Sequence, residues 1–249
     1  DSLEEAYDEL APHVRAIETG LSSDPLMNWR VPAVDGLTLI SNSDAHSPQK
    51  LGREANVFAF DNENDITYAE IRRIIQTGDR TKFLRTIEFY PEEGKYHYDG
   101  HADCKFSCPP SETTKYGGLC PKCGKPLIIG VMSRTEAMAH RTEAEARALD
   151  HIPFQSVVPL PEIIADVLGL GVSSKKVVAQ YESLLNALGP EFSILLKTPI
   201  DEIAAASTSD IARAVERMRN GNIAITPGYD GIFGTVHVFT DDERCSARQ

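Results

Sequence analysis

Two groups of side chains in this sequence have the types and spacing that hold metal ions. Asp44 and His46 stand two residues apart in the polar run Ser41-Asn42-Ser43-Asp44-Ala45-His46. In an extended segment, side chains two apart point to one side, and a carboxylate beside an imidazole suits a divalent ion such as Zn²⁺ or Mn²⁺. By itself, Asp-x-His serves a capped turn as readily as a ligand pair. The second group is Cys104-x3-Cys108 and Cys120-x2-Cys123, four thiols within 20 residues. That arrangement predicts a closed, structural four-cysteine Zn²⁺ site, with Gly117, Gly118 and Gly124 supplying the turns. His97 and His101 lie just upstream, but four cysteines make an imidazole ligand unnecessary. A structural zinc would fold a segment too short to have its own core.

These groups need elements to position them. Leu39-Ile40 reads as a buried strand, so Asp44 and His46 follow its carboxyl end, where α/β folds build sites. Val14–Thr19 reads as a second strand ending at Glu18, and Ala55–Phe60 and Thr86–Tyr90 as two more. Residues 2–11 read as an amphipathic helix. Tyr68–Thr77 reads as another, with Ile71, Ile74 and Ile75 inward, and Trp29 reads as core. Beyond the cysteines, Thr135–Leu149 predicts one long exposed helix, and Pro161 opens the next. In Leu168-Gly169-Leu170-Gly171-Val172, followed by Ser174 and Lys175, a turn leads into a helix whose first amides could hold a phosphate. A plain helix-helix turn explains the same glycines. Val177–Leu188, Phe192–Leu196, Pro199–Ala205 and Asp210–Asn220 read as helices. Ile223–Thr226 and Thr235–Phe239 read as strands around the loop Pro227–Gly234. Glycines there permit close backbone approach, and Tyr229 or Phe233 could stack on a base; an ordinary hairpin turn is the other reading.

A net charge of -12 over 249 residues argues against holding nucleic acid by bulk attraction. The charge is uneven. Residues 1–10 carry five acids, whereas residues 105–141 carry four Lys and two Arg against two Glu. Lys105, Lys122 and Lys125 lie among the cysteines, where they could track a phosphate backbone. There is no apolar run of about 18 residues to suggest a membrane span. The paired cysteines suit a metal in a reducing cytoplasm rather than disulfides, and Cys245 is expected to be a free thiol. The chain begins DSLEEAYDEL, without Met, and reads as a fragment.

Four stretches, ETGLSSDP (Glu18–Pro25), MNWR (Met27–Arg30), SNSDAHSP (Ser41–Pro48) and LGREANVF (Leu51–Phe58), resemble in order and spacing the last third of a PHP-type metal-dependent phosphoesterase domain. More narrowly they resemble endonuclease Q, and the resemblance runs from about His13 to about Phe239. It implies an α/β chain of four parts. Residues 1–92 would be the C-terminal portion of a distorted β/α barrel, 93–132 a zinc module, 133–222 a helical domain, and 223–249 a β-hairpin and tail. It further implies a DNA repair endonuclease that cuts 5′ to uracil, hypoxanthine, xanthine or an abasic site. Asp44 and His46 would be ligands of divalent metals (Zn²⁺, Mn²⁺ or Mg²⁺), with Glu18 beside them. Such domains also use an N-terminal His-x-His, which this sequence lacks, so the chain alone is expected to be inactive. A PHP phosphatase of a small phosphoester, and a zinc-stabilised DNA-binding module without chemistry, are the competing readings.

Overall fold

The strands expected around Ile17 and Leu39 form, and they pair in parallel. The structure is a computed structural model that describes residues 2–240 and Glu243; the expected free thiol Cys245 lies outside the described residues. β1 (Ala16–Glu18) and β2 (Thr38–Ile40) register Glu18 opposite Ile40, so both strands end together. Ahead of them, α1 (Leu3–Tyr7) is shorter than the helix expected over residues 2–11. Asp8 takes a φ of 45°, and the chain continues as a 3-10 turn to His13, so α1 buries none of its side chains. α2 (Pro25–Trp29) is capped by Asp24, whose Oδ1 accepts from the Met27 amide at 2.7 Å, and it buries Leu26, Met27 and Trp29. Trp29 is core, as its type predicts.

β3 (Ala55–Phe58) and β4 (Phe83–Glu88) pair antiparallel, with α3 (Tyr68–Thr77) between them in sequence. α3 has the limits its periodicity predicts: Thr67 caps its start, and Gly78 ends it in the left-handed region at φ 59°. β4 begins three residues earlier than expected, because Phe83, on the near side of the exposed pair Leu84 and Arg85, is also core. β5 (Asp99–His101) and β6 (Phe106–Cys108) make a small hairpin, followed by α4 (Pro110–Lys115).

The single helix expected over 135–149 is two. α5 (Val131–Met138) ends at Ala139, which is extended, and α6 (Glu143–Arg147) starts afresh at Thr142. Thr142 and Glu145 form a reciprocal capping box: the Thr142 hydroxyl accepts from the Glu145 amide, and the Glu145 carboxylate accepts from the Thr142 amide. That start signal outweighs continuous helix propensity across His140 and Arg141. The restart brings fully buried Ala146 against Leu26, Trp29 and Leu39. β7 (Phe154–Ser156) then joins β4, giving the order β3-β4-β7.

The chain divides into two compact units: Asp1–Gln155 with Pro227–Gly234, and Ser156–Thr226 with the segment from Thr235 onward. The second holds α7 (Leu160–Leu168), α8 (Lys175–Leu188), α9 (Glu191–Leu196), α10 (Ile200–Ala206) and α11 (Ser209–Arg219). Ile163, Ile164, Leu184, Ile194, Ile203 and Ile211 are fully buried there. Pro190 and Pro199 stand just before α9 and α10, where a missing amide costs nothing. β8 (Ala224–Thr226) and β9 (Thr235–His237) form the expected antiparallel hairpin. Among the described residues no helix is long and apolar enough to cross a membrane.

Because Trp29 is the only tryptophan and packs beside α6, it reports on the capping box. Thr142→Ala is expected to lower stability by about 1 kcal/mol in urea unfolding followed by Trp29 fluorescence. An unchanged midpoint would mean that the cap contributes nothing.

Candidate metal sites

Asp44 and His46 lie on an exposed turn after β2, and three side chains fix that turn. At its root Asn56 stands in for a neighbouring strand: its Oδ1 accepts from the Ser41 amide at 3.0 Å, and its Nδ2 donates to the Ser41 carbonyl at 2.8 Å. Below, the Ser41 hydroxyl lies 3.1 Å from Glu88 Oε2, which the Thr19 hydroxyl also reaches at 3.2 Å. Glu88 thus ties the ends of β1 and β2 together. Arg53 Nε donates to the Ser43 carbonyl at 2.8 Å. Asp44 has a φ of 44°, and His46 Nδ1 lies 2.9 Å from the Asp44 carbonyl and 3.9 Å from its carboxylate. With a carbonyl as partner, Nδ1 must be the donor, which leaves the lone pair on Nε2 for a ligand.

Glu18 ends β1 opposite Ile40, at the same end of the pair as this turn, and it is exposed. The buried, hydrogen-bonded carboxyl at this end of the pair is Glu88, with no exposure. Glu54, 3% exposed, is its buried neighbour, and Glu54 Oε2 and Glu88 Oε1 have no hydrogen-bond partner. Burial pushes Glu54 up to about 7. Burial first, then the Glu54 charge, pushes Glu88 up to about 8.

The cysteine segment brings together a group of potential ligands that differs from the expected one. His101, Cys104, Cys120 and Cys123 bring one ligand atom each within 4.8 Å of one another. This is the one such group of three or more potential ligands among the described residues. Cys123 Sγ and His101 Nδ1 are 3.7 Å apart. Tetrahedral zinc, at about 2.3 Å from sulfur and 2.0–2.1 Å from nitrogen, sets neighbouring ligand atoms about 3.5–3.8 Å apart, so these residues fit the ion. Cys108, expected as the fourth ligand, lies outside this group. His101 and Cys104 flank the turn of the β5–β6 hairpin, whereas Cys108 sits at its other end opposite Asp99. Cys108 is buried beside Cys120 and Leu127, its Sγ 3.3 Å from the Thr113 hydroxyl, and burial pushes its thiol up. At the cluster, hydrogen bonding to Cys123 and then burial push the Cys104 thiol up to about 11. A divalent ion would reverse that preference. His101-x2-Cys104 repeats the spacing of Cys120-x2-Cys123; that was the available signal, and counting cysteines hid it.

Around the cluster the module is laced by Asp99, fully buried, which accepts from the Gly130 amide and the Thr113 hydroxyl, each at 2.6 Å, and from the Ser133 hydroxyl at 2.5 Å. Lys105 and Lys125 are exposed, whereas Lys122 Nζ donates to the Cys104 carbonyl at 2.8 Å and braces the knuckle. The loop Pro227–Gly234 does make a close backbone approach, and it approaches its own chain. Gly228 N donates to Glu92 O (2.8 Å), and a Cβ on Gly228 would lie 2.3 Å from Gly94 O. Tyr229 lies against Gly100, while Phe233 is 66% exposed with Lys95 Nζ 4.5 Å from its ring centroid. In the other unit, Gly169 needs its glycine (φ 63°). Gly171 has open space around it and no positive φ, and Lys175 opens α8 on the exposed side of the same turn.

Two outcomes are expected. His101→Ala loses bound zinc in elemental analysis of the purified protein, whereas Cys108→Ser keeps it; the reverse would restore the four-cysteine set. Because Glu88 is raised from 4.5 to about 8, the folded state holds the extra proton. Stability is therefore full below about pH 4.5 and is lost as pH rises toward 8. The melting temperature should fall over that window, and Glu88→Gln should flatten the fall.

A family profile described as the MJ0043 C-terminal domain matches residues 159–222. Two curated relatives match nearly the whole chain. The uncharacterized protein MJ0043 of Methanocaldococcus jannaschii is 30% identical over 95% of this chain and 29% of its own length. The uncharacterized protein YqxK of Bacillus subtilis is 26% identical over 94% of this chain and 55% of its own. The lesion-specific endonuclease PfuEndoQ of Pyrococcus furiosus superposes with a TM-score of 0.83 at 31% identity, over 98% of this chain and 61% of that one. Endonuclease Q bound to a 27-mer duplex with an abasic lesion at the active site gives 0.79 at 32%, over 97% and 59%. In sequence and fold the chain is thus similar to endonuclease Q over nearly all its length, while it spans about three fifths of those structures and less of the two relatives.

Proposed function

We propose that this chain is part of a lesion-specific DNA endonuclease of the endonuclease Q kind. One observation carries the reading: a TM-score of 0.83 at 31% identity over 98% of the chain to a lesion-specific endonuclease. In this reading residues 1–92 are the closing part of a PHP-type barrel, followed by a zinc module (93–132), helices (133–222) and a hairpin (223–249), in a reducing cytoplasm. The substrate is DNA carrying uracil, hypoxanthine, xanthine or an abasic site, and the bond hydrolysed is the phosphodiester 5′ to the lesion. Asp44 and His46 hold a divalent ion, with Glu18 at the neighbouring strand end. When bound, such ions activate water and neutralise charge on the phosphate. A lesion base is read by flipping it out of the stack. Lys105, Lys125, Phe233 and the turn of Gly169, Gly171 and Lys175 are the contacts to DNA; the unexplained Gly171 suits a phosphate approaching the α8 amides. Lys122 and Tyr229, already engaged with the chain, hold that surface in shape.

A second reading is favoured by one feature. Among the described residues Asp44 and His46 gather no third ligand within reach, so the chain in isolation would be a zinc-stabilised DNA-binding platform without its own chemistry.

The test is a nicking assay on end-labelled duplexes containing one uracil, hypoxanthine or abasic site, with Mn²⁺ or Mg²⁺. It compares this chain, the full-length product of its gene, and that product carrying Asp44→Asn. Incision by the full-length protein is expected, with a loss of at least ~10²-fold in the variant, as for removal of a group that stabilises the transition state. Cleavage of a nitrophenyl phosphate without lesion-dependent nicking would put a small phosphoester in place of DNA.

A further inference from the structure

The turn that carries Asp44 and His46 is gripped from outside by one side chain. Arg53, just before β3, donates Nε to the Ser43 carbonyl at 2.8 Å, and its Nη2 reaches the Asp44 carbonyl at 3.4 Å. The same Asp44 oxygen takes the His46 Nδ1 proton at 2.9 Å. The guanidinium lies over the Phe89 ring, 5.9 Å from its centroid, and Arg53 is half-buried. Asp44 sits at φ 44°, a conformation that L side chains rarely adopt without a neighbour to hold it. A planar, always-charged fork meets two carbonyls at once, which a lysine ammonium on a flexible stem does not.

We infer that Arg53 is the positioning residue of this turn. By holding the Ser43 and Asp44 carbonyls together it keeps Asp44 at positive φ, and it keeps the His46 Nδ1 proton on the Asp44 oxygen and the lone pair on Nε2. Asn56 fixes where the turn starts, and Arg53 fixes how it ends. This assignment rests on the reading of Asp44 and His46 as metal ligands proposed above.

The test uses the zinc-loaded chain labelled with ¹⁵N and reads the His46 ring nitrogens directly. The native protein should show one tautomer, with the proton on Nδ1. Arg53→Ala should lose it to a mixture, and Arg53→Lys should recover little; Trp29 fluorescence and zinc content, which report on the fold, should not move. If Arg53→Ala fails to fold, Arg53→Gln, which keeps one donor, takes its place with the same expectation. Titrated Mn²⁺ should broaden the Asp44 and His46 amides, with an affinity ~10–100-fold weaker in the arginine variants. An unchanged His46 tautomer in Arg53→Ala overturns the inference. Loss of the tautomer with no Mn²⁺ broadening in the native protein supports Arg53 as the clamp and removes the ligand reading instead.

Discussion

Strands of three residues cannot hold a turn still through ladder hydrogen bonds alone, and the turn after β2 depends on side chains for that reason. The parallel pair β1–β2 offers only three registered positions. Glu88, reaching up from the end of β4, binds the hydroxyls of Thr19 and Ser41 with one oxygen and so fixes both strand ends. Its other oxygen is buried without a partner. A protonated carboxyl meets that environment at much lower cost than a carboxylate, in keeping with its raised pKa. The stretch Leu51–Phe58 then has a physical reason to accompany Ser41–Pro48 in the sequence. Arg53 and Asn56 make the turn's hydrogen bonds, and Glu54 lies against Glu88 beneath it.

The cysteine segment is as short of internal support, and its candidate ligand cluster could supply it by holding an ion. Its apolar core is Cys108, Cys120 and Leu127 with Cys104 and Phe106 against them, too small to offset the entropy of ordering some forty residues. Three thiolates at one point would repel one another, and a divalent cation held by them and the imidazole would turn that repulsion into a cross-link. Asp99 and the docked loop Pro227–Gly234 add hydrogen bonds, including one from the Ala102 amide, next to His101, to Asp230. His101 and the loop are therefore joined through a single neighbouring residue.

Local signals carried much of this and long-range ones did not. α3 could be read from Thr67, its isoleucines and Gly78, and the parallel strands from short apolar runs, because periodicity and caps act within a few residues. The break at Thr142 was also written locally, as Thr-x-x-Glu, but an alanine- and glutamate-rich stretch masks a restart that conserves composition. His101 shows a different limit. Its x2 spacing to Cys104 was visible, yet what sets Cys108 apart from that group is the hairpin that sends it to the far end of β6, a fact of pairing. Glu88 was not legible at all. Nothing near it in sequence announces that its partners lie 47 and 69 residues away.

Charge then restricts how such a chain could hold DNA. With a net charge of -12, bulk charge would oppose approach, so in the reading proposed above affinity would have to come from few, local contacts. The basic stretch around the His/Cys cluster would supply them only in part, since Lys122 is committed to the Cys104 carbonyl. In that stretch Lys105, Lys115 and Lys125 are exposed, and Phe233 lies under Lys95. Few phosphate contacts mean a shallow salt dependence and weak non-specific binding. For the lesion-specific endonuclease proposed above, that would be an advantage: little affinity would be spent on undamaged duplex, and most of the discrimination would be left to the lesion, where an unpaired or mispaired base is the least costly to extrude.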